Sequence, residues 1–131
     1  MKPLTYGLIG AGMMGQEHIR NVALLDDARV GAVFAPAPAM CEAACALSGG
    51  TACDSIDAML DRPDLDALII ASPNFMHVGQ VAQIAAKRPL PLLVEKPLYT
   101  NPADAPRIAE IGQDYPAPIW VAMEYRYMPP V

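Results

Sequence analysis

Three glycines stand out as residues whose spacing could do chemistry: Gly10, Gly12 and Gly15, in the run Gly10-Ala11-Gly12-Met13-Met14-Gly15. This is the pattern GxGxxG. It has meaning only where a strand feeds it and a helix leaves it, because the helix N-terminus then offers unpaired N–H groups and a positive dipole end to a phosphate. In that setting Gly10 allows a tight turn after the strand. Gly12 lacks a Cβ, so a pyrophosphate can approach the backbone, and Gly15 lets the helix pack closely on the sheet. Further polar residues fall at the ends of apolar runs: Ser72-Pro73-Asn74 with His77 after one, and Glu95-Lys96-Pro97 after another. The loop lacks GK[ST], so it is not the triphosphate-binding loop of that signature.

These residues need elements to place them, and the chain alternates. Residues 4–9 read as a short apolar strand directly before the glycines, and 14–25 have helical spacing, with Ile19, Val22, Ala23 and Leu25 on one face. A second strand is expected over 29–35, broken by Pro36 and Pro38. An alanine-rich helix over 39–47 is closed by Gly49-Gly50. A short strand at 51–53, a helix capped by Ser55 and running to Leu60, and a strand over 66–71 follow. Then come a helix over 76–87, a strand over 92–95, a helix that starts at Asn101-Pro102 and runs to Ile111, and a last strand over 119–124. Strands that are apolar on both faces and alternate with helices imply a parallel sheet covered on both sides. This is an α/β doubly wound, Rossmann-type fold. Ligands of such sheets sit beyond the carboxyl ends of the strands, where every polar segment named above falls.

The expected ligand is a nicotinamide dinucleotide, and one feature of its usual site is missing. An Asp or Glu normally follows the glycines by about 20 residues and holds the ribose 2′-hydroxyl. That count reaches Ala35, and no Arg or Lys lies between Val30 and Arg62 to clamp a 2′-phosphate. The cofactor is therefore NAD or NADP, with NAD preferred, because a 2′-phosphate without a cation is costly to bury.

Taken in order, Ser72-Pro73-Asn74 with His77, Glu95-Lys96-Pro97 and Glu124-Tyr125-Arg126-Tyr127-Met128-Pro129 resemble the glucose-fructose oxidoreductase, inositol dehydrogenase and rhizopine-catabolism (Gfo/Idh/MocA) family. The resemblance covers nearly the whole chain, and Glu-Lys-Pro after a strand is its most specific mark. It implies hydride transfer between a nicotinamide cofactor and a hydroxyl-bearing carbon of a sugar, inositol or related polyol. It places Lys96 beside the nicotinamide and the substrate hydroxyl, as the catalytic residue, where its ammonium would stabilise a forming alkoxide. A solvated surface lysine is the competing reading. Glu95 would hold the cofactor or orient Lys96, and an unusual, cis bond is expected before Pro97. Ser72, Pro73 and Asn74 would line the ribose and nicotinamide side, with Asn74 also suited to cap a helix. His77 would face the cleft or satisfy a local hydrogen bond. Arg126 would reach the cofactor or make a salt bridge. With these go Gly10, Ala11, Gly12, Met13, Met14, Gly15 and Ala35 as cofactor contacts. His18 is read as structural and Trp120 as core.

The family's enzymes carry a second α/β domain with the substrate pocket and an Asp/His pair that works with the lysine. Residues 1–124 are thus expected to be the dinucleotide-binding unit and 125–131 the start of a junction. The 131-residue chain alone is expected to be inactive. A non-catalytic nucleotide-binding or regulatory module is the alternative, favoured by Ala35 and opposed by Lys96. A methyltransferase, which also uses a glycine loop after its first strand, has no use for Glu95-Lys96-Pro97.

Composition narrows the rest. A chain of 131 residues with 53% hydrophobic and 18% charged side chains is one globular domain. Its net charge of -5 argues against a sequence-independent grip on nucleic acid or on an anionic membrane. Met1-Lys2-Pro3 leads straight into a strand without signal-peptide features, so a cytoplasmic location is expected. Cys41, Cys45 and Cys53 match no metal spacing and read as reduced, mostly buried thiols, with no metal expected. Oligomeric state is left open.

Overall fold

A computed structural model of the chain describes residues 2–130. The expected junction, 125–131, reaches Val131, which like Met1 lies outside the described residues. The elements run β1 (Leu4–Ile9), α1 (Met13–Val22), β2 (Ala28–Phe34), α2 (Pro38–Ser48), β3 (Thr51–Ala52), α3 (Ile56–Leu60), β4 (Ala67–Ile70), α4 (His77–Lys87), β5 (Leu92–Glu95), α5 (Ala105–Asp114) and β6 (Ile119–Ala122). Short 3-10 turns occupy Asn74–Met76, Pro102–Asp104 and Glu124–Tyr127. All pairings are parallel and the strand order is β3-β2-β1-β4-β5-β6, so the chain winds one way from β1 and the other way from β4. The expected doubly wound sheet is what forms.

The reason lies in alternation along each strand. Leu8, Val33 and Ile69 point to one face, where they pack with Ile19 and Val22 of α1 and Cys41 and Ala44 of α2. Ile9, Leu68, Ile70, Leu92 and Val94 point to the other and meet Met59 of α3, Val81 and Ile84 of α4 and Ile108 of α5. Each such aliphatic side chain stabilises the fold by about 2 kcal/mol when fully buried, so a strand apolar on both faces gains from a helix layer on each side.

Helix ends follow local chemistry. The Ala58 N–H donates to Ser55 Oγ at 2.9 Å, the expected cap of α3. Gly49, at φ 74°, closes α2 in the left-handed region that favours glycine. Asn101 Oδ1 accepts from the Ala103 N–H, although the turn it caps is 3-10 before α5 begins.

Several expectations are corrected. Helix α1 stops at Val22 rather than Leu25. Leu24 and Leu25 close tight turns on Asn21 and Val22, and Leu25 is exposed, because the chain must already reverse to reach β2. Trp120 is not core. It pairs in register with Leu93, which is itself only partly buried at the margin of the cluster under α1 and α2, and β6 is the sheet edge, so the indole is 62% exposed. Of the three thiols only Cys41 is buried. Cys45 and Cys53 are half-buried, and all three are free. Burial and the neighbouring Cys41 push the Cys45 thiol up to about 11. Among the described residues no helix is long and apolar enough to cross a membrane.

Candidate functional site

The carboxyl ends of β1, β2, β4, β5 and β6 open on a cleft with two lobes. The larger, about 380 Å³, is lined by Gly10 to Met14 of the glycine run but not by Gly15, which packs against the Gly10 carbonyl instead, by Ala35, Pro36, Ala37 and Met40 past β2, and by Ser72, Pro73, Met76 and Gln80 past β4. The smaller, about 230 Å³, is lined by Asn74, Glu95, Lys96, Pro97 and Glu124. Met14, Ala71 and Ser72 line both lobes and form their common wall.

The glycine loop is built as its spacing demands. Gly10 has φ 99°, and a Cβ there would lie 2.5 Å from the backbone of Ala71 and Ser72. A Cβ on Gly15 would sit 2.2 Å from the Gly10 carbonyl oxygen, so α1 starts closer to the strand end than any side chain allows. Gly12 is different. A Cβ there would meet only Met40 Cε at 3.7 Å, so the space above it opens on the cavity. Gly12 is the N-cap residue of α1 and supplies no side-chain cap. The first turn of α1 carries no acid, and its leading N–H groups have no intrahelical partner. The loop therefore presents free donors and an uncrowded backbone, which suits an anion as large as a pyrophosphate.

Among the described residues no charged side chain lines the larger lobe. Ala35 occupies the position past β2 where a dinucleotide site usually carries an acid. Ser72 Oγ donates to Gln80 Oε1 at 2.5 Å and so fixes the wall between the lobes. Gln80 is buried and drew no attention in the sequence, because one glutamine in a helix signals nothing. Met40 and Met76 likewise complete the lobe without a motif to mark them.

The smaller lobe holds the ionisable groups. Lys96 is half-exposed, at 52%, and its Nζ lies 3.8 Å from Glu124 Oε1, whose side chain is 45% exposed. Such a pair is worth less than about 1 kcal/mol, so the ammonium is easily drawn away. Glu95 is buried, with Oε1 2.7 Å from His18 Nε2 and Oε2 accepting the Lys96 N–H at 3.3 Å. The Lys96-Pro97 bond is cis, as expected.

Other expected site residues fall elsewhere. His77 is fully buried and turns away from the cavity, with Nδ1 2.8 Å from the Pro97 carbonyl and Nε2 2.9 Å from that of Ser72. Asn74 lines the smaller lobe but caps nothing. Pro73 holds the N-cap position of the 3-10 turn, and no side-chain cap bond is made. Arg126 is not brought to either lobe. It lines a separate cavity over Ile119, Trp120, Val121, Met123 and Tyr127. Among the described residues no group of three or more His, Cys, Asp or Glu is placed to hold a metal.

Comparison with known proteins places this geometry. The family model described as "Oxidoreductase family, NAD-binding Rossmann fold" matches residues 4–123. The chain is 38% identical to an inositol 2-dehydrogenase of Leifsonia xyli over 117 residues, which is 88% of this chain and 34% of that protein. It is 33% identical to the rhizopine catabolism protein MocA of Rhizobium meliloti over 129 residues, 98% of this chain and 40% of the relative. Its fold superimposes with a TM-score of 0.87, at 28% identity, on a myo-inositol dehydrogenase from Lactobacillus casei solved with NAD(H) and myo-inositol. That match covers 96% of this chain and 38% of the other. The chain thus spans little more than a third of the length of the proteins it matches.

Proposed function

We propose, for a chain that belongs to the Gfo/Idh/MocA oxidoreductase family as its NAD-binding Rossmann domain, that it serves hydride transfer between NAD and a hydroxyl-bearing carbon of a sugar, inositol or related polyol. Residues 1–124 are its dinucleotide-binding unit. The observation that carries the reading is the shared wall: the glycine loop and Lys96 open on adjoining lobes separated only by Met14, Ala71 and Ser72.

The first-turn N–H groups of α1, above Gly12, would hold the pyrophosphate. Ala35, Pro36, Ala37 and Met40 would take the adenosine side, with Gly10, Ala11 and Met13 beneath it. Ser72, Pro73 and Asn74 would steer the other half toward Lys96. A bound nicotinamide supplies the hydride acceptor or donor. Lys96 Nζ would donate a hydrogen bond to the substrate oxygen and stabilise the negative charge that forms there as the hydroxyl proton leaves, before hydride passes from the carbon, and as hydride reaches the carbonyl in the reverse direction. Glu95, fixed by His18, accepts from the Lys96 backbone and so orients the lysine. Neither Arg126 nor the His77 ring is assigned a contact with the cofactor.

NAD is favoured over NADP because the larger lobe has no cation to meet a 2′-phosphate. A parallel fluorescence titration with NADH and NADPH tests the reading, with Gly12→Val as control. The expected result is saturable NADH binding, tighter than that of NADPH and lost in the variant. A folded chain that binds neither nucleotide overturns it.

A further inference from the structure

Lys96 combines an exposed side chain with a closely held backbone. On its N-terminal side, the buried Glu95 meets His18 of α1, with side chains 11% and 14% exposed. A carboxylate only accepts, so Nε2 of His18 carries the proton. Glu95 Oε2 in turn accepts the N–H of Lys96. On the C-terminal side, the Pro97 carbonyl faces Nδ1 of His77, the first residue of α4, and the Ser72 carbonyl faces Nε2 of the same ring. Each histidine thus ties one neighbour of Lys96 to one wall of the cleft. His18 ties Glu95 to the helix that bears Met14, and the His77 ring lies between the Pro97 and Ser72 carbonyls and so sets Pro97 against the Ser72-Pro73-Asn74 segment.

A side chain needed only to fill these places would be apolar. Burying polar rings is costly unless their bonds are made.

We propose that His18 and His77 are positioning residues for Lys96. Between them they fix its backbone against both walls, so that a ligand in the cleft, and not a neighbouring side chain, decides where the ammonium points. The inference rests on the reading of the cleft as a dinucleotide site.

Lysine labelling tests it on this chain. The only lysines are Lys2, Lys87 and Lys96. Lys87, paired with Asp61 at 3.0 Å at the far end of α4, is the internal reference. Reductive methylation with formaldehyde and dimethylamine borane, followed by mass spectrometry, gives each lysine's rate with and without saturating NADH. NADH is expected to protect Lys96 and not Lys87. In His18→Met and His77→Leu, which keep the volume and lose the donors, the protection of Lys96 should fall about fivefold, the size of one lost hydrogen bond. NADH affinity should change less than that. His18→Gln keeps a donor near Nε2 and His77→Asn keeps one near Nδ1. Both should restore protection, which a purely space-filling role would not require. Full protection in folded Met and Leu variants overturns the inference alone. So do Gln and Asn variants that fold, bind NADH and leave Lys96 unprotected, whether or not the apolar variants fold. A wild-type chain that does not bind NADH overturns the functional reading, and this inference with it.

Discussion

The two lobes of the cleft are made by opposite means. The larger is shaped by what its residues lack. Gly10 and Gly12 have no side chains, Ala35 and Ala37 have short ones, and among the described residues no charged side chain lines it. Its polar contribution is backbone N–H at the start of α1, together with Ser72 and Gln80, which bond each other. The smaller is shaped by what its residues carry: Glu95, Lys96, Asn74 and Glu124. A partly buried histidine, His18, and a fully buried one, His77, lie behind it. Holding an anion needs donors and room, which a turn and a helix end supply together. Aiming an ammonium needs further polar groups to fix its surroundings, each of which must be satisfied when buried.

That contrast predicts where substitutions strike. The largest effect is expected at Gly15, where a Cβ would lie 2.2 Å from the Gly10 carbonyl oxygen. Gly15→Val must push α1 off the strand end and should lower stability by about 3 kcal/mol or more, read from the urea midpoint. Lys96→Met comes next and tests the other lobe. Its side chain is half-exposed, so folding and NADH affinity should hardly change. Hydride transfer by the complete enzyme should fall by about 10²–10⁴-fold, the range for one acid–base group. A Lys96→Met enzyme with unchanged kcat would remove the distinction between the lobes.

Gly12→Val sharpens the comparison from within the glycine loop. A Cβ at Gly12 meets only Met40 Cε at 3.7 Å, so the variant should unfold at nearly the same urea concentration as the parent chain. Its NADH affinity should fall by about 100-fold, since the loss of two phosphate hydrogen bonds to charged oxygens costs about 3 kcal/mol. Two glycines three residues apart would then separate cleanly, one serving the fold and the other the ligand. Equal destabilisation by both substitutions would contradict the open space seen above Gly12.

The larger lobe was also the more legible one in the sequence. Strand, glycines and helix follow each other within the first 22 residues, so local pattern was enough to place them. Ser55, Gly49 and the breaks at proline likewise act on near neighbours. The smaller lobe is assembled over distance. His18 meets Glu95 across 77 positions, and Glu124 reaches Lys96 from beyond β6. No periodicity records such contacts. The place of Glu95 and Lys96 at the end of an apolar run marks them as site residues, and only the family resemblance gives them roles. His77 shows the same limit. Its place at the head of a helix was readable, but the choice between cavity and carbonyl depended on where β5 ends. Trp120 departs from its expected core position for a related reason. An apolar residue in a strand looks like core until the sheet order reveals an edge that the helices of that face do not cover.

The smallest effect is expected at Ala35, where the larger lobe departs from the usual dinucleotide site. Ala35 lines the cavity directly past β2, the position from which a carboxylate reaches a ribose 2′-hydroxyl. Ala35→Asp should tighten NADH by about fivefold, one hydrogen bond to a charged group in a half-exposed place. It should weaken NADPH by about tenfold, because a carboxylate beside a 2′-phosphate adds repulsion between like charges. The ratio of the two affinities, measured by parallel titration, is the sensitive quantity, since general damage to the site moves both in the same direction. A raised ratio would mean that the parent lobe selects its ligand by shape and by the absence of a cation, with the 2′-hydroxyl left to solvent or backbone. An unchanged ratio would mean that the ribose does not pass Ala35. The adenosine half would then have to lie toward Pro73 and Met76, on the β4 side of the same lobe.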